Sequence, residues 1–98
     1  MSDRELLELA AKAAGIVYAN GWNLATNEPW CPHEDGGDAL RLAVKLGLTV
    51  AQLMSNREVL VNDYDETVLI GEFHEADPDA ATRRAITRAA AEIGRNMT

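Results

Sequence analysis

Five side chains of this sequence could do chemistry by type and spacing. Cys31, His33, Asp35 and Asp38 fall within eight residues, and His74 stands well downstream. Thiolate, imidazole and carboxylate are all competent zinc ligands. A thiol beside an imidazole is also the basis of an activated sulfur nucleophile, so Cys31 could pair with His33 or with His74. Against the metal, Cys31-Pro32-His33 places two ligands two residues apart around a proline, an unusual spacing for a structural site. The plainer expectation has Cys31 as a small buried hydrophobe, His33 as a surface loop residue and Asp38 as a helix cap. No metal, no cofactor and no catalytic residue is therefore expected. A small metal-binding enzyme using Cys31, His33 and His74 stands as an alternative.

Other chemistries lack their motifs. There is no G-x-G-x-x-G and no G-x-x-x-x-G-K-[ST], so no standard dinucleotide or phosphate loop. The two serines, Ser2 and Ser55, are not in G-x-S-x-G. Neither His33-Glu34 nor His74-Glu75 continues to H-E-x-x-H. Asp63-Tyr64-Asp65 opens like a calcium loop but lacks its glycine and distal acid.

The elements that would carry these residues are well punctuated. Ser2 and Glu5 fit a capping box, Leu6, Leu9, Ala10 and Ala13 recur on one face, and Gly15 stops the first helix. Ile16-Val17-Tyr18 is a short β-prone run ended by the turn dipeptide Asn20-Gly21. Residues 22–34 form an aromatic-pinned loop with room for a short strand. Asp35, Gly37 or Asp38 caps a second helix over 39–46. That helix is apolar except for Arg41 and Lys45, which predicts burial around most of its circumference, and Gly47 ends it.

Leu48–Met54, Arg57–Val61 and Thr67–Phe73 predict three strands joined by short turns, an antiparallel meander with Val68 and Ile70 on one face and Leu69 on the other. Asp77 caps the last helix, with Pro78 in its first turn. Ala81, Ala85, Ile86, Ala89, Ile93 and Met97 are its apolar face, and Arg84, Arg88 and Arg95 a basic stripe. The expected fold is a single α+β domain over 1–98, an α/β/α layered sandwich of order α-β-α-β-β-β-α with a mainly antiparallel sheet.

Ninety-eight residues, 47% apolar and 26% charged, suit one small globular core. A single cysteine excludes an internal disulfide framework. No run of eighteen apolar residues could span a bilayer, and no basic region precedes an apolar stretch at the N-terminus, so a reducing cytoplasm is expected and no membrane partner. Sixteen alanines and one Phe leave volume for Tyr18, Trp22 and Trp30 to fill as core, although three rings near one loop could instead form a partner platform.

The net charge of −7 is segregated. Residues 1–57 carry seven acids and five bases, residues 58–82 eight acids and no Lys or Arg, and residues 83–98 four Arg and one Glu. Affinity for nucleic-acid phosphate rests on Lys and Arg, so direct nucleic-acid binding is not expected. The acids fall mostly in turns, which suits a solvated rim better than a mimic of DNA.

Two segments carry a family resemblance. Trp30–Leu46, WCPHEDGGDALRLAVKL, resembles a W-N-P…D-x-G-D-A-L-R-L-A-V-K-L stretch, and Asp77–Gly94, DPDAATRRAITRAAAEIG, resembles D-P-x-A-A-T-R-R-A-I-x-R-A-A-A-E-I-G. Both, with the opening ELLELAAKAAG, are similar to the phage ABA sandwich domain, a family of small phage and prophage proteins. The resemblance implies an α/β/α layered domain, a phage or prophage origin and a bacterial host cytoplasm. It supplies no activity and no catalytic residues. Cys31 stands where the pattern has Asn, and His33 where it has an apolar residue.

A fold does not need three arginines, Arg83, Arg84 and Arg88, together on one helix. These three and Arg95 are the candidate partner-binding residues, pairing with the chain's own acidic segment or with a partner. The expected function is that of a non-enzymatic phage accessory protein that binds a host or phage macromolecule, a protein partner above all. The alternative in the same class is a homo-oligomeric module that pairs its opposite charges or exposed strand edges between copies.

Overall fold

The computed structural model describes residues 2–65, 68–73 and 77–97. It is an α+β fold of three helices and two three-stranded antiparallel sheets. Helix α1 spans Asp3–Ala14. Ser2 caps it by accepting the Glu5 backbone N–H, and Gly15 closes it in the left-handed region at φ 70°. Helix α2 spans Gly36–Leu46 and ends at Gly47, and α3 spans Pro78–Arg95 behind an Asp77 cap that accepts the Ala80 N–H. Of the candidate caps Asp35, Gly37 and Asp38, the structure uses Asp35. Its carboxylate accepts the Asp38 N–H at 2.8 Å, the reach of a cap to the third residue beyond it, and this frees the Asp38 side chain for other partners.

Between α1 and α2 the chain forms a small sheet that lengthens the expected element order by two strands. It consists of β1 (Tyr18–Ala19), β2 (Trp22–Asn23) and β3 (Glu28–Pro29), paired in that order. The β1–β2 turn is Asn20-Gly21, and both residues have positive φ, as a tight twisted hairpin requires. Trp30 is buried and meets Tyr18 edge-on, with ring centroids 5.6 Å apart. Trp22 is 45% exposed, so only part of the aromatic set serves as core.

The expected meander is the second sheet: β4 (Thr49–Leu53), β5 (Glu58–Asn62) and β6 (Leu69–Phe73), in the order β4-β5-β6. The pairs Val50↔Val61↔Ile70 and Gln52↔Val59↔Glu72 share one face, which packs on α3. Val59 and Val61 are completely buried there, and the Gln52 amide donates to Thr82 Oγ1 at 2.8 Å. Helices α1 and α2 also pack on α3, so α3 is the middle layer and takes the sheet on one side and its partner helices on the other.

Three expected faces move. The buried stripe of α1 is Leu7, Ala10, Ala11 and Ala14, with Leu6, Leu9 and Ala13 only half-buried, because the alanines let α3 come in close. Helix α2 buries only Ala39, Leu42 and Ala43, and Leu40 and Val44 face out, because it meets the core along one stripe. Met97 lies beyond the end of α3 and is exposed. The close α1–α3 contact centres on Gly94. A Cβ placed there would sit 1.9 Å from the Leu9 carbonyl oxygen. Ala85, Ala89 and Ala90 line α3 without any exposed surface. No helix of the described residues is long and apolar enough to cross a membrane.

Candidate functional site

The arginines of α3 fall into two settings. Arg84 and Arg88 lie one turn apart and converge on Glu72 of β6. Arg84 Nη1 is 3.7 Å from Glu72 Oε1, and Arg88 donates to Glu72 Oε2 and, at 3.4 Å, to the Gly71 carbonyl. Arg95 pairs with Glu92 at 3.5 Å. Arg84, Arg88 and Arg95 together line a groove of about 450 Å³, with His33 and Asp3 at its far side. Arg83 is turned elsewhere. Its Nε donates to the His33 carbonyl at 3.4 Å and ties α3 to the loop before α2.

Glu72 was the residue missing from the expected set. Alternation along β6 already places it beside Ile70 on the inward face, and an inward carboxylate needs a cation. Its side chain is only 16% exposed, against 59% and 42% for Arg84 and Arg88. The groove is lined by Asp3 and Glu92 against Arg84, Arg88 and Arg95, and two of those arginines are paired with Glu72.

The second cluster is the turn Cys31–Asp35. The Cys31 carbonyl accepts the Glu34 and Asp35 N–H groups, and the Cys31 N–H donates to Asp38 Oδ2 at 2.9 Å. Asp38 is further held by Arg41 at 2.6 Å. Pro32 is fully buried. This scaffold brings Cys31 Sγ within 3.5 Å of His33 Nδ1 and 3.6 Å of Glu34 Oε2. His33 Nε2 faces Asp3 Oδ2 at 3.9 Å and Glu34 Oε1 at 3.7 Å. Cys31 and His33 are both half-buried rather than core and surface respectively. Burial pushes the Cys31 thiol up, and Glu34 beside it pushes the same way. A thiol held protonated is a poor nucleophile. Asp35 and Asp38 are committed to the cap and to the Cys31 backbone, and His74 lies outside the described residues.

The third feature had no sequence expectation as a site. On the side of β4–β5–β6 away from α3, the register aligns Leu53↔Glu58↔Phe73, Ala51↔Leu60↔Gly71 and Thr49↔Asn62↔Leu69. Leu69 is 67% and Phe73 70% exposed, with Leu60 and Leu53 half-buried on the same face. Gly71 leaves room for the neighbouring strand: a Cβ there would meet Leu60 Cδ2 at 3.2 Å and Glu58 Oε2 at 3.0 Å. The signal in the sequence was the run of apolar residues at both parities of β6, more than one covered face can use.

Comparison with family models, with curated proteins and with solved structures finds no match to this chain.

Proposed function

We propose that this chain is a non-enzymatic phage accessory protein that acts by binding another protein, and that it binds through the open face of β4–β5–β6 with Arg84 and Arg88 at the sheet's margin. The observation that carries the binding role is the exposure of Leu69 and Phe73 on one apolar sheet face. Exposed apolar residues gathered on one face of a small domain mark interaction surfaces, whereas isolated ones do not. Phage origin rests on the resemblance of the Trp30–Leu46 and Asp77–Gly94 segments. The Cys31 thiol, pushed up by burial and by Glu34, is a poor nucleophile, which does not favour an enzymatic role. The same face and the edge strand β6 also suit pairing of two copies, which is the second reading.

Affinity capture from bacterial lysate, run beside sedimentation of the pure chain, separates the two. The expected result is a monomer that captures a discrete protein. That capture is lost in Leu69→Ser/Phe73→Ser and weakened in Arg84→Glu/Arg88→Glu. A dimer dissolved by Leu69→Ser/Phe73→Ser transfers the face to self-association. Capture unchanged by both variants overturns the proposal.

A further inference from the structure

We propose that Cys31, His33 and Glu34 form a binding site for a borderline divalent cation of the zinc type. In tetrahedral zinc sites metal–ligand bonds of about 2.0–2.3 Å put the ligand atoms roughly 3.3–3.8 Å apart. The sulfur here lies 3.5 Å from His33 Nδ1 and 3.6 Å from Glu34 Oε2, and a ligand atom of each residue falls within 4.8 Å of the other two. These three lone-pair donors converge with one thiol proton to share among them. A cation bound to all three satisfies every donor and displaces that proton to solvent as the thiol becomes a thiolate ligand.

The site is built rather than accidental in its backbone. Pro32 is fully buried, Asp38 holds the Cys31 N–H, and Arg83 holds the His33 carbonyl. With Nδ1 on the metal, the opposite ring nitrogen lies on a side that carries the Glu34 and Asp3 carboxylates, at 3.7 and 3.9 Å. Glu34 is the exposed and movable member that closes on the ion. Sulfur and imidazole select against magnesium and calcium, which take oxygen ligands. Three protein ligands leave a fourth position for water. The ligand set differs from the one weighed on sequence, with Glu34 in the place given to Asp35, Asp38 or His74.

Cobalt(II) titration of the reduced 98-residue chain tests the site. The expected result is saturation at one equivalent, with a thiolate-to-cobalt charge-transfer band and tetrahedral visible bands, both erased by added zinc. Cys31→Ser abolishes the charge-transfer band. His33→Gln and Glu34→Gln weaken binding about tenfold or more. Circular dichroism checks that each variant folds. A second readout needs no variant: stoichiometric zinc slows alkylation of Cys31 in the wild-type chain. No saturable cobalt spectrum, a spectrum that survives Cys31→Ser, or alkylation indifferent to zinc would each overturn the proposal.

Discussion

Two surfaces of the molecule use apolar residues in opposite ways. Along the α1–α3 seam the side chains are almost all Ala or Gly, and the backbones approach until a single methyl at Gly94 would collide with the Leu9 carbonyl. On the outer face of β4–β5–β6 large apolar side chains are present, yet Leu69 and Phe73 stand in solvent. The α1–α3 seam is therefore held by small residues in close contact, while Leu69 and Phe73 are large apolar groups that the core does not use. At this seam bulk is no guide to burial, because close approach of two helices yields dense contact without big side chains.

Gly94→Ala is the strongest way to break that contrast. The substitution gains about 1 kcal/mol of helix propensity. The collision with Leu9 should outweigh it and leave a net loss of about 2 kcal/mol or more, read as a fall in the urea midpoint. An unchanged midpoint would mean that the seam is loose. Next comes Glu72→Ala, which removes the carboxylate that joins α3 to β6. It should cost about 1 kcal/mol, since the acid is largely buried although its arginines are not, and high salt should narrow the gap to wild type.

A smaller effect belongs to Tyr18, on the closed side against Trp30. Burial raises its phenol above the ordinary 10.0. The folded state then holds this proton more tightly than the unfolded chain. The stability this contributes is complete below pH 10.0 and is lost as pH rises toward the folded-state value. Spectrophotometric titration should show a tyrosine that ionises later in folded than in denatured protein. Smallest of all is Phe73→Ser, expected within about 0.5 kcal/mol of wild type by thermal melt, because the ring is already in water. A large loss there would show that the outer face is structural.

Much of the architecture was legible because its signals are local. Ser2, Gly15, Gly47, Asp77 and Pro78 each act within one helical turn, Asn20-Gly21 bends the chain over two residues, and the Ser55-Asn56 turn spans the four residues between Leu53 and Glu58. The meander and its parity were legible for the same reason. The small sheet of β1–β3 was not, because two-residue strands leave no periodic trace. Of the candidate site, the arginines and the Cys31–His33 neighbourhood were visible by type. Their relations were not. Arg83 parts from Arg84, Glu72 gathers Arg84 and Arg88, and Glu34 joins Cys31 and His33 through a turn whose shape depends on Asp38 and Arg83.

The sequence by itself determined the helices, their ends, the strand parity and the inventory of reactive groups, because capping, turn chemistry and alternation act between residues a few positions apart. Only the tertiary structure decided which stripe of α1 and α2 is buried, that α3 lies between sheet and helices, and that one face of β4–β5–β6 stays open. Those outcomes depend on how closely distant segments can approach, and that distance was set by Gly94 meeting Leu9 across the whole length of the chain.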